Sequence, residues 1–177
     1  MQVLSEIAST HQVTRFNIEV GESYSSFRER FQLAVPAHNE QRLAEFVKRK
    51  APWQEVLDDT AASAPFGFFI FWHIDVSASM ALAGNTSLCT EYLMGNYTIA
   101  ERMFRVDPSV MLYVPLRVLI YAKQGGPTTL VIEQPSSVLS SLSNLEIEGV
   151  ARELDSKMAK LFRNLAVPVP LELENAR

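Results

Sequence analysis

Apolar and polar residues alternate strictly from Thr14 to Val20, TRFNIEV, with Phe16, Ile18 and Val20 opposed to Arg15, Asn17 and Glu19. A period of two marks a half-buried strand. Gly21 opens a turn, and the period then lengthens. SSFRE sets Ser26 three residues ahead of Glu29, a capping-box spacing at a helix start that Pro36 must end. Asn39 is placed to cap a second helix, EQRLAEFVKRK, and Pro52 to begin a third, PWQEVLDD, with TAASAP as a loop. Four more strands follow: Phe66 to Asp75, LCTEYLMG, VMLYVPLRVLIYA and TTLVIEQP, the last two joined by the hairpin signal KQGG. Between the second and third of these, TIAERMFR reads as a short helix with Ile99 and Met103 inward. EIEGVARELDSKMAKLFRNL spaces Ile147, Val150, Ala151, Leu154, Met158, Leu161 and Leu165 by threes and fours, a long amphipathic helix. The tail AVPVPLELENAR reads as extended.

The order is strand, helices, four strands, long helix. It predicts an α+β domain over 1–177, a five-stranded antiparallel sheet gripping the C-terminal helix, with a helical insertion at about 26–65. Side chains alternate across a strand. Phe66, Phe68, Ile70, Trp72 and Ile74 are therefore expected on a dry face against the long helix, with Leu112, Val114, Leu116, Val118 and Ile120 from the long strand. Phe69, Phe71, His73 and Asp75 fall on the other face with Tyr113, Pro115, Arg117, Leu119 and Tyr121; Glu133 joins them because Leu130 and Ile132 fit the core. For LCTEYLMG the alternation leaves both assignments open.

Composition adds exclusions. Formal net charge is −4 and the 16 Lys and Arg are scattered, which argues against a nucleic-acid surface; the dense cluster FVKRK fits the solvated end of a helix. One cysteine, Cys89, precludes an internal disulfide and a multi-thiolate zinc site. His11, His38 and His73 lie on separate elements, so no metal site is expected. The apolar runs are shorter than a membrane span and the N-terminal segment shows no basic-then-apolar leader, so the chain reads as cytoplasmic. AGNTS and MGNYT lack a phosphate-loop lysine and the dinucleotide spacing, so no cofactor is expected.

From YLMGNYTIAERMFRVDP onward the residues become specific: Gly95-Asn96, Ala100 and Met103, Asp107, YVPLRVLIY with Pro115 and Arg117, QPSS with Pro135 and Ser136, and LDSKM. In this order and spacing, over about Phe68 to Leu165, the chain resembles the domain-of-unknown-function 302 family. The resemblance implies a TATA-binding-protein-like, or helix-grip, fold, in proteins that are small, often dimeric and without assigned activity. The stretch from Ser26 to Pro65 departs from it, holding two or three helices where a typical member has one.

An aromatic and polar sheet face needs a cover, and three are available: a second subunit, the inserted helices, or both together around a cavity. The third gives the functional expectation, a homodimer that binds an apolar small organic molecule over Phe69, Phe71, Tyr113 and Glu133. If chemistry occurs, it is cofactor-free proton transfer of isomerase, cyclase or lyase type, with His73 as acid or base and Arg117 and Tyr121 polarising an oxygen. The structural alternatives are a histidine satisfied by Asp75, by a backbone carbonyl or across a dimer interface, and Arg117 bridged to Glu133. The competing class is a non-catalytic homodimer whose second sheet face is the subunit interface.

Overall fold

In the computed structural model, which describes residues 8–174, the first alternating segment forms β1 (Arg15–Val20), with Ile18 and Val20 buried and Arg15, Asn17 and Glu19 exposed. The four remaining strands are β2 (Phe69–Asp75), β3 (Leu88–Gly95), β4 (Leu116–Ala122) and β5 (Thr128–Glu133). All adjacent pairs are antiparallel, in the spatial order β1-β5-β4-β3-β2, so β1 and β2 are the edges. The KQGG turn joins β4 to β5 as expected.

One face of the sheet is the core. Register places Ile18, Leu130, Ile120 and Thr90 in one row, and Phe16, Ile132, Val118 and Tyr92 in the next. This resolves the open assignment in β3: Thr90, Tyr92 and Met94 face inward, while Cys89, Glu91 and Leu93 face the other way. The long helix, Leu145–Asn164, covers this face with Ile147, Val150, Ala151, Leu154, Met158 and Leu161 buried, as its spacing predicts. Asn144 caps it, accepting from Glu146 and Ile147 amides. The first inserted helix, Tyr24–Ala34, lies on the same side, sending Phe27 and Phe31 into the core.

The insertion holds three helices: α1 (Tyr24–Ala34), α2 (Glu40–Arg49) and α3 (Trp53–Ser63). Ser23, not Ser26, caps α1, its hydroxyl accepting from the Ser26 amide, and Asn39 caps α2 as its position suggests. The α3 helix runs through TAAS, where turn-forming composition had suggested a loop. Thr60 is buried there and donates to the Tyr97 hydroxyl at 3.0 Å, so packing overrides propensity. After α4 (Ser77–Ala81) and α5 (Tyr97–Phe104), the predicted long strand shortens: 108–112 is a 3-10 turn, with Pro108 at its start and Asp107 accepting from the Ser109 amide. Val114–Pro115 is cis, and β4 begins only at Leu116. Leu112, expected in the core, is therefore 80% exposed.

QPSS opens α6 (Pro135–Leu139), the long helix is α7, and the tail contains one helical turn, α8 (Leu171–Glu174), instead of being wholly extended. Fully buried Asp155 of α7 ties α6 down. It accepts from the Ser136 amide at 3.0 Å, the Ser136 hydroxyl at 2.5 Å and Gln134 Nε2 at 2.9 Å. The QPSS and LDSKM segments are thus two halves of one contact.

Candidate functional site

The sheet's face assignment breaks at Phe71. Ile70 pairs with Met94 but Trp72 pairs with Leu93, a bulge that leaves Phe71 as an extra residue in β2. Before it, alternation runs as the sequence predicts; beyond it, every side chain changes sides. His73 comes opposite Tyr92, on the helix-covered side, and stacks on that ring at 5.7 Å. Trp72 and Ile74 come opposite Leu93 and Glu91, on the second face, where they are 44% and 41% exposed. Asp75 accepts from Arg28 of α1 and from the Ser77 amide, and these bonds hold its carboxyl below the usual range against the opposing effect of burial. His73 and Arg117 therefore occupy opposite sides of the sheet, and the expected catalytic grouping of His73, Arg117 and Tyr121 does not assemble. A strict period-two reading could not see an inserted residue.

The second face carries four of the other expected residues. Arg117, Tyr113, Tyr121 and Glu133 line one groove of about 720 Å³ along β4 and β5, floored by Leu119 and Val131. Arg117 Nε lies 2.6 Å from Glu91 Oε1, so its partner is not Glu133, which instead pairs with Arg15 at 2.6 Å. The register explains both: Leu93 opposes Arg117 and Glu91 is one pleat along β3, while Arg15 opposes Glu133 directly.

Phe69 and Phe71 belong to a different place, the end of the sheet where β2 starts, β3 ends and β4 starts. Pro36 O accepts from the Ile70 amide at 2.9 Å, and the His38 amide donates to Ile70 O at 2.8 Å, so the α1–α2 connection pairs with this part of the edge. The His38 ring then sits 4.6 Å from Phe71, 5.5 Å from Tyr97 and 5.9 Å from Phe69. Its Nε2 is buried with no hydrogen-bond partner. Burial holds its pKa below the usual histidine range, opposed weakly by the charge of Glu40, so the ring is neutral at pH 7.

Beside this cluster is an apolar cavity of about 230 Å³. Phe71 and Tyr97 form its wall on the aromatic side; Ala100 and Met103 of α5, Pro115 after the cis bond, and Leu154 of α7 form the rest. Gly95 stands at the constriction, where an added Cβ would approach Pro115 Cβ at 3.3 Å and Phe71 Cε2 at 3.5 Å. Glycine is favoured by proximity here, not by backbone angle. Asn96 orients the adjoining helix, accepting from Thr98 at its amide (2.9 Å) and hydroxyl (2.7 Å) while donating to Gly67 O. Among the described residues no cluster of three or more metal-binding side chains occurs.

Gly95 and Ala100 were visible in the sequence only as parts of a family pattern, Met103 also as an inward helix residue, Pro115 also as a strand residue, and His38 only as a histidine remote from the other two. No periodicity links them, because a bulge, a helix start and a turn bring them together. Met103 is fully buried, as its inward position on the helix predicts, whereas Met111, also on the cavity, and Met80 are about half exposed.

A family model described as "Domain of unknown function DUF302" matches residues 45–165. The match begins inside α2, so it takes in α3 as well as the segment from Phe68 onward. No curated protein matches the chain. The crystal structure of an uncharacterized conserved DUF302 protein from Bacillus stearothermophilus superposes with a TM-score of 0.60 at 13% identity, covering 85% of this chain and 97% of that one. No described helix is long and apolar enough to cross a membrane.

Proposed function

This chain belongs to the DUF302 family of domains of unknown function, and we propose that it binds a small apolar organic molecule in the cavity at the end of its sheet. The observation that carries the reading is the lining itself. Around about 230 Å³ stand Phe71, Ala100, Met103, Pro115 and Leu154, with polar groups only from Asn96 and the Tyr97 edge. An apolar cavity of about 150 Å³ stays dry and takes up benzene, and drug-sized ligands occupy about 300 Å³ or more. The intermediate volume fits one or two fused rings, or a ring with a short chain.

No acid–base step belongs to this proposal, because His73 and Arg117 are on opposite sides of the sheet and His38 Nε2 does not line the cavity. A cytoplasmic setting accompanies the reading, supported by the free thiol of Cys89, whose pKa burial pushes up and whose reactivity is correspondingly low.

The test is a thermal-shift and calorimetric series with benzene, indole and naphthalene. A probe at about 100 times its dissociation constant adds roughly 2.7 kcal/mol of stability, so a saturable rise in Tm is expected for at least one. Ala100→Phe fills the space from α5 and is expected to abolish that rise while leaving the circular dichroism spectrum unchanged. A flat Tm for every probe, or an undiminished rise in Ala100→Phe, overturns the proposal.

A further inference from the structure

We infer that the molecule held in the apolar cavity is a small carboxylic acid whose carboxylate is bound by Lys157 and Lys160 in the adjoining cleft, an assignment that rests on the cavity being a ligand site. The cleft, of about 490 Å³, lies between the C-terminal half of α3 and the second half of α7. Asn96 and Ile99 line both the cleft and the cavity. Two walls pass from one space to the other together. On α7, Leu154 lines the cavity and Lys157, about 4.5 Å further along the axis, lines the cleft. On the chain entering β2, Phe68 lines the cavity while Phe66 and Gly67 line the cleft. The LDSKM segment thus supplies an apolar contact and a cation as neighbours on one helix face. A ring seated against Leu154 needs an arm of only about one or two carbons to bring a carboxylate level with Lys157.

Lys157 is seated in this position. An added Cβ at Gly67 would come 3.1 Å from both Cδ and Nζ of Lys157, so the lysine lies across the Gly67 backbone, where φ is +78°. A side chain there would strain the backbone and displace the lysine. The charge of Lys157 is only partly satisfied. Glu153 Oε1 lies 3.6 Å from its Nζ, but the other oxygen of that carboxylate takes Arg102 at 2.6 Å, so one carboxylate serves two cations. Lys160 lines the cleft without an ion pair among the described residues. Asp58 of α3 also lines the cleft, and its Oδ1 accepts from Gln54 Nε2 at 2.8 Å. Two lysines facing one aspartate leave one positive charge over. That balance suits a carboxylate better than a phosphate ester, which carries nearly two negative charges at pH 7. The arginines of the open sheet face offer no comparable site, because Arg15 and Arg117 are each held by a carboxylate at 2.6 Å.

The test is calorimetry at neutral pH with naphthalene, naphthylacetate and the neutral naphthylacetamide, which matches the acid in shape. The acid is expected to bind at least about tenfold more tightly than the amide, the gain from one charge-assisted hydrogen bond. In the double variant Lys157→Gln, Lys160→Gln that ratio should fall to about one. Lys160→Gln alone, a change to an exposed side chain, is expected to lose part of it. In Ala100→Phe neither compound should bind. Equal affinities for acid and amide in the wild type, or a preference for the acid that survives the double variant, overturn the inference and leave the cavity reading standing. Acid binding that persists in Ala100→Phe while amide binding is lost separates the two spaces and overturns it likewise. If no probe binds, the cavity reading fails and the carboxylate site fails with it.

Discussion

At Asp155, burial and hydrogen bonding oppose each other, and burial prevails: the pKa is raised although Ser136 and Gln134 donate to the carboxylate. Between its unfolded and folded values the native state holds a proton that the unfolded state has lost. Its contribution to stability is thus complete below about pH 4 and falls as pH rises through the folded pKa. Asp155→Asn cannot titrate, so urea unfolding across pH 4 to 7 should show the difference between the two moving in the variant's favour as pH rises. Asp155→Ala strands the Ser136 and Gln134 donors and is expected to cost about 1–3 kcal/mol at any pH. His38 has the opposite sign. Its pKa is lowered by burial, so the unfolded chain binds the proton first and stability drops as pH falls below about 6.5. His38→Phe keeps the ring among Phe69, Phe71 and Tyr97 and removes the unpaired Nε2. We expect it to equal or exceed the wild type by about 1 kcal/mol at pH 7.5 and by more at pH 5. A variant less stable than the wild type at pH 5 would refute this account of the ring.

Among the elements, helices and strands with a full period were legible from the sequence, and the two departures that reshape the site occur at a bulge and at a proline turn. The α7 stripe from Ile147 to Leu161 and the β1 alternation are as read because every position obeys a single period. At Phe71 one extra residue moved His73 away from Arg117, and at Pro115 a turn replaced nearly the first half of a supposed strand. Neither event has a hydrophobic signature: FGFFIFWHID alternates equally well with or without a bulge. The candidate cavity was unreadable for the same reason, since its walls come from the bulge, the end of β3, α5 and the Val114–Pro115 turn. Leu154 is the link between the legible and the illegible, a stripe residue of α7 that also lines the cavity. Leu154→Ala is expected to lower stability by about 2–5 kcal/mol and to enlarge the space, so calorimetry should find a larger fused-ring probe bound more tightly relative to benzene than in the wild type. Unchanged relative affinities would mean that Leu154 does not bound the ligand.

Across the whole molecule, the sheet divides its tasks between its two faces, one end and an edge. Among the described residues, one face is closed by α7 and α1, the other is left open with its ion pairs, the end beside α5 holds an apolar cavity, and part of the β2 edge has no strand beside it. The inserted helices secure the end and leave most of the open face uncovered: Thr60 of α3 fixes Tyr97, and the chain before α2 clamps Ile70. The central claim is that the apolar space at that end is a binding site and not a packing defect. It is tested most directly by following the methionine methyl resonances during a naphthalene titration, because Met103 and Met111 line the cavity while Met80 lies on the distant β2–β3 connection. The account predicts saturable shifts at Met103 and Met111, none at Met80, and none anywhere in Ala100→Phe. Shifts of equal size at all three methyls, or no shift at Met103 up to the solubility limit of the probe, would contradict it.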